Sequence, residues 1–301
     1  MTEFIHIKSI SQLHQLMEIE KPVHPLISVV RHSKDMKISF GNVRLNSDLY
    51  FISLKENIKG SFKYGRNSYD FEEGTLLFVA PGQVMSSNNE EIEPDLGGWS
   101  IFFHPNLIEK STLSETILKY HFFNYDIHEA LHLSEKEKAT LAECVLKIEQ
   151  EINQNIDKHS QELIIHNIEA ILKYGLRYYD RQFATRTNQS KDYISQFETF
   201  LKNYFNQNQQ LESGIPTVEI CGKAMNMSGK YLSDLLKAET GKSLIEHIHL
   251  YIVDKAKATL LNSNLSVSEI AHSLGFDYPQ HFSKLFKTKT GLSPSEYRNL
   301  N

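Results

Sequence analysis

One short motif in this sequence has the spacing of a zinc site. Residues 128–132, HEALH, match the pattern in which two histidines and a glutamate lie on one helix. That chemistry needs both histidines on the same helix face, with the glutamate beside the metal. Here the first clear helix start is Ser134, after the motif, and the segment IHEALHL alternates as a strand does. We therefore expect no zinc site at these residues.

The other metal-binding residue types are not clustered. His247 and His249 fall in a predicted helix, where residues two apart do not share a face. Cys144 and Cys221 lie far apart, form no CxxC pair, and are expected to be reduced packing residues. The sequence predicts no metal, no cofactor and no catalytic residue.

Polar side chains recur at helical spacing in two C-terminal segments that repeat each other. LSDLLKAETGKSLIE, residues 232–246, and FSKLFKTKTGLSPSE, residues 282–296, are 50 residues apart and identical at seven of fifteen positions. A match of this length predicts that one supersecondary unit occurs twice.

Each copy follows a short helix with a characteristic turn. In the second copy, Ser266 and Glu269 predict a capping box, Ala271 is small where two helices must approach, and Gly275 allows positive φ in the turn.

The first copy has the same signals in other residue types. Thr217 is the expected cap, Gly222 takes the small position, and Asn226 takes the turn. Ser228 is expected to cap the next helix, whereas Asp277 or Tyr278 starts it in the second copy. The pattern indicates two helix-turn-helix units.

A helix presented in this way can enter the major groove of DNA with its N-terminal residues against base edges. Gln can bind adenine with two hydrogen bonds, and Lys can contact guanine or phosphate. The predicted DNA-binding side chains are Ser228, Lys230, Ser233, Asp234, Lys237, Pro279, Gln280, His281, Ser283, Lys284 and Lys287. The alternative for each residue is an ordinary solvated helix face.

Charge contributes little to this prediction. The net charge is −5, but residues 211–301 hold ten Lys/Arg against nine Asp/Glu, and residues 1–210 hold 22 against 28. This weak asymmetry permits a DNA-binding C-terminal part without identifying one. Between the copies, EHIHLYIVDKAKATLLNSN predicts one long helix that would hold the two units at a fixed separation.

From about residue 193 to 297 the sequence resembles the DNA-binding domain of the AraC/XylS family of bacterial regulators. The resemblance rests on YLSDLLKAETGKS, DKAKATLL, VSEIAHSLGF and HFSKLFKTKTGLSPSEYR. It implies two helix-turn-helix units joined by one helix, with both recognition helices in the major groove. Carried over by position, the base-facing residues are Lys230, Ser233, Asp234, Pro279, Gln280, Ser283 and Lys284. Asp234 is a departure, because an acid repels phosphate: it either binds cytosine N4 or weakens the first helix.

The N-terminal half predicts short strands between residues 25 and 105, in a small barrel or sandwich. EGTLLFVAPGQVM and GWSIFFHP resemble the cupin-like sensor domain that precedes the DNA-binding domain in many members of the family. GSFKYGRNSYDF lacks the histidines of metal-binding cupins, which implies a pocket without metal. The candidate lining residues are Tyr64, Arg66, Tyr69 and Trp99, although aromatic core packing explains each equally well.

Two helices are expected after the strands. Ser134 and Glu137 predict a capping box for the first, and residues 161–181 form the second. The inward faces comprise Leu141, Cys144, Val145, Ile148 and Ile152, then Leu163, Ile164, Ile168, Ile171, Leu172 and Leu176. These helices pack on the strands or pair with another subunit.

The sequence thus predicts an α+β chain: a cupin-like sensing and dimerisation domain at 1–182, a linker at 183–191, and a double helix-turn-helix domain at 192–301. Expected partners are promoter DNA, a small-molecule effector, RNA polymerase and a second copy. No run approaches a membrane span, so a cytoplasmic regulator, more often an activator, is expected rather than an enzyme. The alternatives are a cupin-type metal-dependent enzyme with a helical interaction module, and a C-terminal module that binds protein.

Overall fold

The computed structural model describes residues 3–33, 43–56, 74–87, 98–126, 129–154, 157–185 and 187–299. The chain divides into two compact units, an N-terminal unit of residues 1–182 and a C-terminal unit of residues 183–301. The N-terminal unit mixes strands and helices, and the C-terminal unit is helical in its described residues.

The described strands of the N-terminal unit form two sheets. These strands are β1 (Glu3–Ile7), β2 (Ile27–Arg31), β3 (Val43–Ser47), β4 (Tyr50–Lys55), β5 (Thr75–Val79), β6 (Val84–Ser87), β7 (Trp99–Phe103) and β8 (Leu131–His132). One sheet has the order β2-β7-β4-β5-β8 with antiparallel pairs, and the other has the order β1-β3-β6 with β1 and β3 parallel. The closed cupin-like barrel stays a prediction.

The helices of this unit flank the sheets. They are α1 (Ile10–Leu16), α2 (Leu113–Thr116), α3 (Glu135–Asn153) and α4 (Ser160–Thr185), with short 3-10 turns at Pro105–Leu107, Ile117–Lys119 and His121–Asn124. No helix in the described ranges combines the length and the apolar character that crossing a membrane requires.

The five-stranded sheet buries one apolar face. Ile52 lies opposite Ile101, Leu54 lies opposite Trp99, and all four side chains are at most 1% exposed. Helix α4 packs close to this face, since a β-carbon on Gly175 would lie 2.9 Å from the ring of Phe78. The sheet and α4 therefore share one core.

Helix α3 begins as its capping box predicts. The Ser134 N–H donates to the Glu137 carboxylate at 2.9 Å. All five apolar residues expected on its inward face are buried: Leu141, Cys144, Val145, Ile148 and Ile152.

The prediction for α4 is wrong at two residues. Ile164, Ile168 and Ile171 are buried as expected, but Leu163 is 45% exposed and Leu176 47% exposed. Helical spacing placed both leucines beside the inward stripe, yet they lie at its margin, where the facing surface does not reach.

In the segment predicted as a linker, the described residues 183–185 and 187–191 are helical. Helix α4 continues to Thr185, and α5 (Thr187–Asn206) begins two residues later. Its polar, aperiodic composition indicated an irregular connection, but Ala, Gln and Arg are good helix formers. The boundary between the two units falls between Gln182 and Phe183.

The C-terminal unit contains seven further helices, most of which share a buried cluster. These are α6 (Gln209–Ser213), α7 (Val218–Ala224), α8 (Gly229–Thr240), α9 (Leu244–Asn262), α10 (Val267–Ser273), α11 (Pro279–Thr290) and α12 (Pro294–Arg298). Buried Phe197, Leu201, Tyr204 and Phe205 of α5 join the buried residues of α7 to α11 in a single cluster. Helix α5 therefore belongs to the framework that positions the repeated helices.

Candidate nucleic-acid interface

The first helix-turn-helix, α7 and α8, is built around two glycines. A β-carbon on Gly222 would lie 2.6 Å from the Gly229 nitrogen and 2.7 Å from the Met227 carbonyl oxygen. A β-carbon on Gly229 would in turn meet the Val218 carbonyl oxygen. The two helices thus touch backbone to backbone, and the prediction that Gly222 is required by a close approach is confirmed.

The caps and the turn of this unit also follow the prediction. Asn226 has a φ of 54°, in the left-handed region that favours Gly and Asn. The hydroxyl of Ser228 accepts from the Tyr231 N–H at 3.2 Å, and that of Thr217 accepts from the Ile220 N–H at 3.2 Å. These bonds satisfy amide groups that lack partners within their own helices.

The second helix-turn-helix, α10 and α11, repeats the plan with one difference. The Ser266 N–H donates to the Glu269 carboxylate at 2.7 Å, and Gly275 has a φ of 88°. Helix α11 starts at Pro279, with Tyr278 rather than Asp277 at the N-cap, and the Tyr278 side chain makes no capping bond. Proline at this first helical position supplies φ near −65°. Its missing N–H removes no hydrogen bond, because an N–H at this position has no partner within the helix.

Helices α8 and α11 end in the same turn. The Thr240 hydroxyl donates to the Leu236 carbonyl at 2.7 Å, and the Thr290 hydroxyl donates to the Phe286 carbonyl at 2.8 Å. Gly241 and Gly291 follow, with φ of 74° and 82°.

A capping box then opens the next helix in each copy. The Ser243 N–H donates to Glu246 at 2.8 Å, and the Ser293 N–H donates to Glu296 at 2.7 Å. Five of the seven repeated residue types, Leu, Thr, Gly, Ser and Glu, therefore maintain the core, this turn and its caps. The other two, at 233/283 and 237/287, lie on the outer faces of α8 and α11.

The outer face of α8 carries polar side chains at positions i, i+3, i+4 and i+7. Lys230 and Lys237 are exposed, and Ser233 and Asp234 are half-buried. The opposite face packs into the core through Leu232, Leu235 and Leu236. The predicted side chains therefore lie together along one outer strip of α8.

Two of the predicted side chains on this strip also have structural roles. The Ser228 hydroxyl caps α8, as described above, and the Ser233 hydroxyl accepts from the Leu244 N–H at 3.4 Å. Direct DNA contacts by these two hydroxyls stay predictions.

Helix α11 presents a matching strip. Gln280, Lys284 and Lys287 are exposed and Ser283 is half-buried, again at i, i+3, i+4 and i+7. His281 is exposed and Pro279 is half-buried. Phe282 and Phe286 are fully buried on the opposite face.

Sequence reasoning missed Tyr278 as a surface residue. Its side chain is 59% exposed, at the N-terminus of α11, and its ring lies edge-on to His281 with 5.5 Å between centroids. The signal was present in the repeat, because a large aromatic stands where the first copy has the capping Ser228.

Hydrogen bonds and burial shift the pKa of three side chains near the start of α9. Hydrogen bonds from Ser243 lower the pKa of Glu246, with a smaller contribution from Lys289 and Lys237. Burial lowers the pKa of both His247 and His249. The His247 ring lies 2.8 Å from the Thr240 hydroxyl, so this histidine braces the turn after α8.

The HEALH motif is described only in part. His132 lies in strand β8, and Glu129 is 3% exposed with its carboxylate accepting from the Asp126 N–H. His128 lies outside the described residues. Within the described ranges, no three His, Cys, Asp or Glu side chains come together as a metal site would require.

The predicted effector pocket is described at one residue only. Tyr64, Arg66 and Tyr69 lie outside the described residues. Trp99 is 1% exposed at the start of β7, and its indole N–H has no hydrogen-bond partner among the described residues.

Comparison with known proteins identifies this geometry. A family model for a helix-turn-helix domain matches residues 221–300. Residues 221–300 form an AraC-type helix-turn-helix domain. The chain is also 25% identical over 248 residues to the uncharacterized HTH-type transcriptional regulator YfiF of Bacillus subtilis, covering 80% of this chain and 74% of that protein.

Two further relatives are regulators as well. The Msm operon regulatory protein of Streptococcus mutans is 22% identical over 266 residues, covering 88% of each chain. The uncharacterized transcriptional regulatory protein YesN of Bacillus subtilis is 38% identical over 92 residues, covering 29% of this chain and 25% of that protein. The chain is a DNA-binding transcription regulator.

The AraC-type domain match begins inside the first helix-turn-helix. Residue 221 lies in α7, so α5, α6 and the start of α7 precede the matched region. Helix α5 and the start of α7 nevertheless contribute to the buried cluster of the domain, and Gln210 of α6 is hydrogen-bonded to Ser273. The folded DNA-binding unit of this regulator is therefore larger than the matched segment.

Proposed function

We propose that this regulator binds promoter DNA with α8 and α11 in two successive major-groove segments, each helix reading part of one operator. The observation that carries the proposal is the repetition of one outer strip, at positions 230, 233, 234 and 237 and again at 280, 283, 284 and 287. Successive major-groove faces on one side of B-DNA lie about 34 Å apart. Helix α9, with 19 residues, is about 28 Å long and of suitable length to separate the two units.

The two strips differ in chemistry. Gln280 is suited to adenine, and Lys284 to guanine or phosphate, with Lys287 adding a phosphate contact. Lys230 and Lys237 supply the positive charge of α8. Asp234 lies between them on the same strip and either binds cytosine N4 or reduces the affinity of α8 for DNA. The second strip therefore holds DNA more firmly than the first.

The N-terminal unit would sense a small molecule and support dimerisation. Its candidate pocket residues remain Tyr64, Arg66, Tyr69 and Trp99, in a cupin-like fold without metal. Exposed Leu163 and Leu176 on α4 offer apolar surface for a second copy. RNA polymerase would be the further partner of a cytoplasmic, non-enzymatic activator of this design.

Selection of binding sites from random DNA by the full chain tests the proposal. We expect an enriched motif in two parts, centred about one helical turn apart. Gln280→Ala should relax base preference in one part, and Lys284→Ala should reduce the slope of log K against log salt by about 1 if it contacts phosphate. Gln209→Ala, an exposed change away from both strips, is the control.

A motif confined to a single half would contradict two-helix reading. Unchanged base preferences with Gln280→Ala would contradict the assignment of that residue while leaving the two-part motif intact. A thermal-shift screen of the full chain with small molecules at saturating concentrations would test the sensing role of the N-terminal unit.

A further inference from the structure

The turn of the second helix-turn-helix is held by a segment that precedes the first. Gln210, in α6, is 3% exposed, and its side-chain N–H donates to the Ser273 carbonyl at 2.9 Å across 63 residues of sequence. Ser273 is the last residue of α10. Carbonyl groups at a helix end lack partners within the helix, so Gln210 satisfies one of them at the entrance to the turn.

Backbone packing reinforces this bond. A β-carbon on Gly275, in the same turn, would lie 3.0 Å from the Gln210 carbonyl oxygen and 3.2 Å from the Gly214 carbonyl carbon. Gly275 therefore lets the end of α6 lie directly against the second turn, in addition to supplying the positive φ that the turn needs.

The contacting segment is itself fixed on its other side. The hydroxyl of Tyr204, which is 2% exposed in the core, donates to the Gly214 carbonyl at 2.9 Å. Gly214 has a φ of 72° and lies three residues before Thr217, the cap of α7. The same short segment thus touches the α5 framework, leads into the first helix-turn-helix and holds the turn of the second.

The contact at Gly275 adds to the other connections between the two helix-turn-helix units. Helix α9 joins them along the chain, and residues of α8, α9 and α11 share one buried cluster. The contact of Gln210 and Gly214 with Gly275 lies outside that cluster and joins the start of the first unit directly to the turn of the second. It therefore constrains the relative angle of the two units at a further point.

The Gln210 side chain is committed to this contact. It is 3% exposed, and its N–H group reaches the Ser273 carbonyl. Removing the donor would take this bond away from a buried side of the α10 terminus.

We propose that the segment of residues 210–214 sets the spacing and rotational phase between α8 and α11, with Gln210 as the positioning residue. This inference rests on the proposed function, in which both helices bind one operator at once. It makes Gln210, which touches no DNA, a determinant of how far apart the two halves of the operator must be.

Binding to operators with altered spacing tests this role. The probes are duplexes carrying the two-part motif selected by the wild-type full chain, with zero, one or two base pairs inserted between the halves. One inserted base pair turns the halves by about 35° relative to each other. The variants are Gln210→Met, which keeps the volume without the donor, and Gln210→Asn, which keeps the amide but shortens its reach. Gln209→Met, at the exposed neighbouring residue, is the control.

We expect wild type and the Gln209→Met control to lose about tenfold in affinity for each inserted base pair, and the Gln210 variants to lose less than about threefold. A purely structural defect would instead weaken binding by the same factor at every spacing. Circular dichroism identifies which variant is folded, and Gln210→Asn is the milder change if Gln210→Met is not. A spacing profile in a folded Gln210 variant that matches wild type would overturn the inference while leaving the two-helix function standing. A wild-type motif without two parts would overturn both.

Discussion

Gly222 and Gly229 face each other across the first turn so closely that a β-carbon on Gly222 would lie 2.6 Å from the Gly229 nitrogen. The second copy has Ala271 and Pro279 at the corresponding places and one more residue in its turn. Because its turn is one residue longer, the second copy has room for Ala271 and Pro279 where the first copy needs glycine. The two units therefore reach the same helix-turn-helix arrangement with different residues.

Gly222→Ala should destabilise the C-terminal unit. The added methyl would meet backbone atoms that cannot move without displacing α8, and overpacking of this kind usually costs about 1–3 kcal/mol. Chemical unfolding of the full chain measures the change, with Lys223→Ala at the exposed next residue as the control. Equal stability of the two variants would show that α7 and α8 can separate freely.

Tyr278→Ser should stabilise α11. A serine at this N-cap can accept from a backbone N–H, as Ser228 does in the first copy, which is worth about 0.5–2 kcal/mol. Tyr278→Ala removes the ring without providing a cap and is the matched control. A serine variant that is no more stable than the alanine variant would show that residue 278 cannot cap α11.

Cys221 should be unreactive until the C-terminal unit unfolds. It is fully buried, and desolvation raises the pKa of its thiol to about 12, so little thiolate exists at pH 8. Thiol labelling in a Cys144→Ala background should therefore follow the denaturant midpoint of the unit. Rapid labelling of the native protein would show that α7 opens locally.

Acid should weaken the C-terminal unit through its capping boxes. Hydrogen bonds from Ser243, Ser266 and Ser293 lower the folded-state pKa of Glu246, Glu269 and Glu296 below the ordinary 4.5. Their contribution is complete above that value and is lost as the pH falls through the lowered folded-state pKa.

Replacing all three glutamates by glutamine should flatten this loss of stability between pH 5 and pH 3, measured by urea unfolding at each pH with circular dichroism as the readout. Glu212→Gln, at an exposed residue of α6, is the control. An acid dependence that is identical in the triple variant would assign it to other carboxylates.

Local chemistry made much of the C-terminal unit predictable. Gly222, Asn226, Gly275 and the capping residues act within one turn of the chain, so their types alone indicate the geometry. The 50-residue repeat alone indicates that α8 and α11 are equivalent helices.

Contacts distant in sequence were not predictable in this way. The bond from Gln210 to Ser273 joins residues 63 apart, and no local pattern distinguishes Gln210 from its exposed neighbours in NQNQQ. Leu163 and Leu176 failed for a related reason, because helical spacing gives a direction but not the width of the surface that covers it.

The most direct test of two-helix reading is a cross of variants with half-operators. Affinities of wild type, Lys230→Ala and Gln280→Ala are measured on the selected operator and on versions with either half scrambled. Gln280→Ala should weaken binding to the intact operator by about 1–3 kcal/mol and have no effect once its own half is scrambled. Lys230→Ala should also weaken binding to the intact operator, and it should lose this effect only when the half bound by α8 is scrambled. If both variants weaken binding by the same factor on every duplex, α8 and α11 do not read separate halves of one operator.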